Sequence, residues 1–156
     1  MKLITCVFVL LTLLIPVESL IAKAPPKFWI KNMEGKRFTS KKQKSAFVVS
    51  FFFVNCVPCI KEIPLLYKFM STDYPDVPLL FIDPIRQDSK KNIKNFAKKL
   101  NVPLSYFYKD SFGSISKKFF KKKMAFPTIV GIEGETYIFR YNGIDDEILA
   151  EMKRLL

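Results

Sequence analysis

Cys56 and Cys59, with two residues between them, stand in the stretch FFFVNCVPCIKEIP at residues 51–64, behind a wall of aromatics and ahead of a helix-like segment. Such a pair can be half of a metal site, two inert core thiols, or a dithiol that cycles with its disulfide. A structural zinc needs four ligands, and the chain has no histidine and only one further cysteine, Cys6. Position argues against inert thiols. Cys56 falls where a helix should open, and the outward N–H groups and helix dipole there favour a thiolate. Redox chemistry is the reading left, and C-x-x-C is its known spacing.

A helix start lets the first cysteine face solvent and sets the second one turn on, close and shielded. Cys56 is therefore the expected nucleophile, forming a mixed disulfide with a partner, and Cys59 the resolving thiol. A helix dipole of roughly 0.3–2 kcal/mol lowers a thiol pKa of about 8.5 by about one unit, at 1.36 kcal/mol per unit. Val57 and Pro58 between the cysteines add no side-chain donor, so the pair should prefer its disulfide form and act as a reductant of protein disulfides. The chemistry calls for no cofactor and no metal.

At 156 residues the chain is the size of one domain. Its amino terminus reads differently: Lys2 precedes an uninterrupted apolar run from Leu3 to Ile15, followed by Pro16, Glu18 and small residues. That is an export signal. As a helix the run would span roughly 20 Å, short of the roughly 30 Å hydrocarbon core. Residues 1–24 are thus expected to be removed, after Ser19 or Ala24, or to stay as an uncleaved anchor, with 25–156 the exported domain. Cys6 goes with the signal, and an oxidising compartment suits the pair that remains.

The chain carries 26 Lys plus Arg against 14 acidic residues, a formal net charge of +12, with lysines clustered at 41–44, 90–99 and 117–123. Nucleic acid is the reflex partner. The lysines instead fall on the polar faces of amphipathic segments and arginine is scarce, so a solvated basic surface is the better account.

The cysteines need a scaffold, and the rest of the sequence supplies its parts. FWIKNMEGKRFTS reads as two short strands around Glu34-Gly35. Ala46–Val54 and the segment VPLLFID (77–83) are continuous apolar runs of the kind buried on both faces of a sheet. Between them, Ile60, Ile63, Leu66, Tyr67 and Met70 repeat at helical spacing, with Pro64 expected to kink the helix. A lysine-faced helix over Ser89–Leu100, a strand at Leu104–Tyr108, a short helix over Ser111–Phe120, a strand-turn-strand from Pro127 to Gly143 and a helix capped by Asp145 complete the order. This alternation predicts an α/β three-layer sandwich around a central mixed sheet, with the cysteines at the exit of the first buried strand.

With Cys56, Cys59, Glu62 and Pro64 in the pattern C-x-x-C-x-x-E-x-P, the chain resembles the exported thiol-disulfide oxidoreductases of the TlpA and ResA type, which have the thioredoxin fold. The likeness extends to the leading hairpin with Glu34-Gly35-Lys36, Phe126-Pro127-Thr128, the Gly134 turn and Tyr141-Asn142-Gly143. It implies a thioredoxin-like sandwich with an N-terminal hairpin and an extra αβ insertion. It also implies that Pro127 is a cis proline facing the cysteines, exposing the backbone of Phe126 to a substrate strand. Phe126, Pro127 and Pro58 are the substrate-binding candidates on this reading. In the related enzymes a glutamate like Glu62 tunes the thiols and moves protons; the alternative is a solvated residue paired with a lysine. The family usually has tryptophan before the first cysteine, and here Asn55 stands there.

The resemblance further implies a periplasmic or otherwise extracytoplasmic location, protein thiols and disulfides as partners, in either cytochrome c maturation, with apocytochrome c as client, or general repair of exported disulfides, and a membrane electron donor; a monomer is expected. Two other functions compete with this one. A peroxiredoxin-like peroxidase needs a threonine three residues before its cysteine and a proline seven before, where this chain has Phe53 and Val49. A Cu(I)-binding chaperone would use the soft thiolates with Met124, but the related copper carriers add a histidine and wider cysteine spacing, neither of which occurs here.

Overall fold

A computed structural model describes residues 24–121 and 123–156; the expected export signal, with its apolar run and Cys6, lies outside them. The chain opens with a hairpin. Strands β1 (Trp29–Lys31) and β2 (Arg37–Thr39) pair antiparallel with Ile30 opposite Phe38. The Asn32 side chain accepts the N–H groups of Glu34 and Lys36 at 3.1 and 2.8 Å, closing the turn at Glu34-Gly35.

Five strands make the main sheet, in the order β5-β4-β3-β6-β7. Strands β3 (Phe47–Phe51), β4 (Leu79–Asp83) and β5 (Phe107–Lys109) run parallel, while β6 (Thr128–Glu133) and β7 (Thr136–Asn142) form an antiparallel hairpin joined to β3. The first two are buried at every position, as unbroken apolar runs in parallel strands require. Helices α1 (Val57–Asp73), α2 (Lys90–Lys99) and α4 (Asp146–Leu155) and the short α3 (Ser116–Phe119) provide the covering layers. The unit of α2 and β5 extends the sheet beyond β4, which is the expected αβ insertion.

Strand alternation divides the core into two. On one face Val48, Phe81, Phe107 and Ile129 pack with Ile63, Leu66 and Met70 of α1, Ile93 and Phe96 of α2, and both cysteines. On the other, Val49, Phe51, Leu80, Ile82 and Val130 pack with Phe28, Ile30 and Phe38 of the hairpin region and Phe119 of α3. Gly131 allows one close approach: a Cβ there would collide with the Phe139 ring, so only glycine lets β7 lie so close.

Two elements differ from expectation. The strand foreseen at Leu104–Tyr108 begins only at Phe107, because Pro103 opens a helical turn over Leu104–Tyr106 closed by Tyr106 N–H to the Pro103 carbonyl at 3.2 Å. The helix foreseen over Ser111–Phe120 is confined to Ser116–Phe119. Gly113 has φ 63°, a left-handed conformation that ends helical continuity. Pro64 removes one donor from α1, yet the helix runs through it to Asp73, carried by the burial of Ile63, Leu66 and Met70 on the same face. Among the described residues no helix is long and apolar enough to cross a membrane.

Candidate functional site

The three parallel strands end at the same sheet edge, and the turn from β3 into α1 is built there. Past Phe51, the N–H of Phe52 bonds the Ile82 carbonyl at 3.1 Å. Val54 N–H then bonds the Asp88 carboxylate at 3.0 Å, and Cys56 N–H bonds the Phe53 carbonyl at 3.1 Å. Cys56 is the residue before the first helical position. Its Sγ accepts the Cys59 N–H at 3.3 Å and its carbonyl accepts the Ile60 N–H at 3.2 Å. A sulfur thus occupies the capping place usually held by an oxygen. Pro58 sits in the first turn, where a missing N–H costs no helical bond.

Cys56 and Cys59 are joined as a disulfide with Cα atoms 5.2 Å apart. Cys56 was expected to face solvent, but it is only 2% exposed, beside Cys59 at 0%. Bonding to Cys59 and to that residue's N–H turns its sulfur inward, while Val57, 69% exposed, takes the outer position. Asn55 and Pro58 are also exposed.

The Phe126–Pro127 bond is cis. The Phe126 ring meets Phe53 edge to face at 5.2 Å and packs against the cluster that holds both cysteines. Pro127 itself is buried, and its carbonyl accepts the Gly143 N–H at 3.1 Å. The next N–H along, that of Ile144, donates to Glu62 Oε2 at 2.7 Å. Two successive N–H groups therefore tie the Glu62 carboxylate and the Pro127 carbonyl to one loop. No ion pair joins Glu62 to a lysine among the described residues. Burial pushes its carboxyl above the usual carboxylate range; the Ile144 N–H opposes this and the Asp145 charge adds to it.

Two acids that the sequence did not single out stand at the same edge. Asp88 holds Val54, two residues before Cys56. Asp83, the last residue of β4, is fully buried; its Oδ1 accepts the Ile85 N–H at 2.7 Å and meets Lys109 Nζ at 3.2 Å. Burial drives its carboxyl up to about 7, against the pull of the Ile85 N–H and Lys109. An acid closing the otherwise apolar run LLFID was the available signal for it.

A hollow of about 390 Å³ opens beside the cysteine segment, with Val54, Ile60 and Phe96 as its apolar part and Asn55, Asn92 and Asn95 as its polar part. A larger one of about 710 Å³, with Trp29, Lys31 and Phe112 in its wall, contains none of the site residues. Met124 packs against the core on the sheet face away from the cysteines. Among the described residues no group of three or more His, Cys, Asp or Glu gathers to hold a metal ion.

No family model and no curated protein matches the sequence. Solved structures do match. StoA from Bacillus subtilis is 19% identical, with a TM-score of 0.71, over 85% of this chain and 98% of its own. A secreted Mycobacterium tuberculosis disulfide oxidoreductase homologous to E. coli DsbE is 19% identical, with a TM-score of 0.69, over 83% and 96%. A thiol:disulfide interchange protein of the thioredoxin family from Chlorobium tepidum is 21% identical, with a TM-score of 0.67, over 85% and 92%. At this level of identity the likeness is one of architecture: the chain has the thioredoxin fold, with a Cys-x-x-Cys disulfide at the start of its first helix.

Proposed function

We infer that the protein is an exported thiol-disulfide oxidoreductase that reduces protein disulfides through Cys56 and Cys59. The observation that carries this is the disulfide at the head of α1, at the sheet edge, with the Cys59 N–H directed at Cys56 Sγ. After reduction the same N–H and the helix dipole favour a Cys56 thiolate.

The Cys56 thiolate attacks one sulfur of a client disulfide, forming the Cys56–client bond and releasing the other client sulfur as a thiolate. Cys59, giving up its proton, attacks Cys56 Sγ; the mixed disulfide breaks, the second client sulfur leaves as a thiolate, and the Cys56–Cys59 disulfide forms. Two electrons pass to the client. A membrane dithiol donor returns them by attacking the oxidised pair. Because Cys56 is 2% exposed when oxidised, that attack needs the segment around it to open.

Glu62 serves as the proton-handling and tuning carboxyl of the pair. Phe126 and Pro58 form the client surface, with the buried Pro127 behind Phe126, and the amide-rimmed hollow at Asn55 extends it where the family would have tryptophan. Clients are exported disulfide proteins, apocytochrome c among them, and the protein works as an extracytoplasmic monomer. A Cys59→Ser variant, which cannot resolve the mixed disulfide, tests this. It is expected to retain clients at Cys56 through a bond cleaved by reductant, with turnover lost; if exported extract yields no adduct, the reading is wrong.

A further inference from the structure

Five lysines and no acid occupy α2, and that helix forms one wall of the hollow of about 390 Å³ beside the cysteine segment. Asn95, Phe96 and Lys99 follow Asn92 by three, four and seven residues, which sets all four on one helical face. Across from them stand Val54, Asn55 and Ile60. Asn55 precedes the nucleophile, and the Ile60 N–H bonds the Cys56 carbonyl at 3.2 Å. The floor is fixed: Phe96 is 4% exposed and stacks on the fully buried Phe52 at 5.4 Å. The rim is open to solvent, with Asn55, Asn92, Asn95 and Lys99 all exposed. No ion pair holds Lys99 among the described residues. Of the three asparagines only Asn92 enters a side-chain hydrogen bond there, through its main-chain N–H to Ser89 Oγ.

Side-chain amides can donate or accept, but the Lys99 ammonium only donates, so the charge of α2 selects among ligands. No acid lines the hollow. Asp88 is buried behind Val54 with Oδ2 on that residue's N–H, and Glu62 is turned to the Ile144 N–H. We propose that this hollow is a client subsite for a carboxylate side chain, Asp or Glu, next to the client's disulfide, so that acidic segments are the preferred substrates. This rests on the redox reading of Cys56 and Cys59 and names the class of client that the pair serves. The aliphatic stem of such a residue lies on Phe96 and Ile60, and its carboxylate accepts from Lys99 and the asparagine amides. The client sulfur is thereby brought to the adjacent Cys56. A cationic residue in the same place meets Lys99 and is repelled.

A merely solvated basic face would attract acidic peptides without depending on one lysine, and that difference is the test. Two terminally blocked, disulfide-cyclised peptides, identical except for Glu or Lys beside one cysteine, are mixed with the reduced protein, and formation of the Cys56–Cys59 disulfide is followed by stopped flow. The Glu peptide is expected to react roughly five- to tenfold faster at low salt, the scale of one exposed charge contact made against one opposed. The gap should shrink as salt is added. Lys99→Glu should abolish or reverse the preference. Lys41→Glu, on the exposed turn leading into β3 at the far end of that strand from Cys56, changes the net charge equally and should keep it. Alkylation of Cys56 by neutral iodoacetamide should be the same in all three proteins. Equal rates for the two peptides, or the same loss in both variants, overturns the subsite. A matching change in alkylation in Lys99→Glu overturns it too, since the lysine would then act on the thiolate. If neither peptide oxidises the wild type, the redox reading falls and the subsite with it.

Discussion

Phe51 and Phe52 are adjacent and both fully buried, yet they serve opposite faces of the sheet. Phe51 packs at 5.1 and 5.0 Å from the rings of Phe119 and Phe120, on the face covered by α3 and the hairpin. Phe52 stacks on Phe96 of α2 at 5.4 Å and meets Phe107 at 5.5 Å, in the cluster that contains the cysteines. The polar groups divide the same way. At the α3 face, the buried Asp110 carboxylate is satisfied by the N–H groups of Ile115 and Ser116 and by the Ser114 hydroxyl. At the cysteine side, Asp83 keeps an oxygen without a donor and Glu62 carries a raised carboxyl held by one N–H. One face is settled structure, and the other holds groups left poised, as functional sites tend to.

The largest expected effect tests that division with the two phenylalanines. Phe51→Ala and Phe52→Ala should each lower stability by about 3–5 kcal/mol in urea unfolding, the usual cost of emptying a core phenylalanine site. Only Phe52→Ala should also change the alkylation rate of Cys56, because Phe52 packs in the same cluster. Equal effects on the thiol from both would erase the distinction between the faces.

The pH dependence of stability comes next. Asp83 has a folded pKa of about 7 against an ordinary 3.8, so its protonated form favours the fold. Its contribution is complete below about pH 4, declines as pH rises to about 7, and is flat above. A shift of roughly three units corresponds to roughly 4 kcal/mol. Denaturant unfolding across that window should show the decline in the wild type and lose it in Asp83→Asn; a profile shared by both would remove Asp83 from the poised side.

Glu62→Gln is expected to act least on stability, since Ile144 keeps an acceptor and the site is half-buried. Its effect should lie in the pH profile of thiol reactivity, where a raised carboxyl ceases to titrate. An unchanged profile would class Glu62 with Asp110, as a residue that only fastens α1 to the loop before α4.

Much of this organisation was legible in the residues. The unbroken apolar runs at 46–54 and 77–83 announced strands buried on both faces, and Ile63, Leu66 and Met70 announced the buried face of α1. Asp145 was recognisable as a cap, and its carboxylate does accept the Ile148 N–H at 2.8 Å. The cysteine spacing pointed to the disulfide that the structure contains. What local pattern could not convey is what depends on distant partners. The burial of Cys56 follows from its bond to Cys59 and the packing around it. The partner of Glu62 is 82 residues away, and the Asp88 bond to Val54 joins two loops that periodicity treats as unrelated. The truncated α3 turned on one left-handed glycine, which a helical pattern of apolar residues does not register.

The central claim is that Cys56 and Cys59 form a redox couple that favours its disulfide and gives up electrons. Equilibration of the purified protein with glutathione buffers, followed by the fraction of free thiol, measures this directly. The account predicts a single two-electron transition near the reducing end of the thioredoxin range, about −270 mV. A potential near the oxidising end, about −120 mV, would contradict the reductant role, and a pair that never equilibrates would contradict the couple itself.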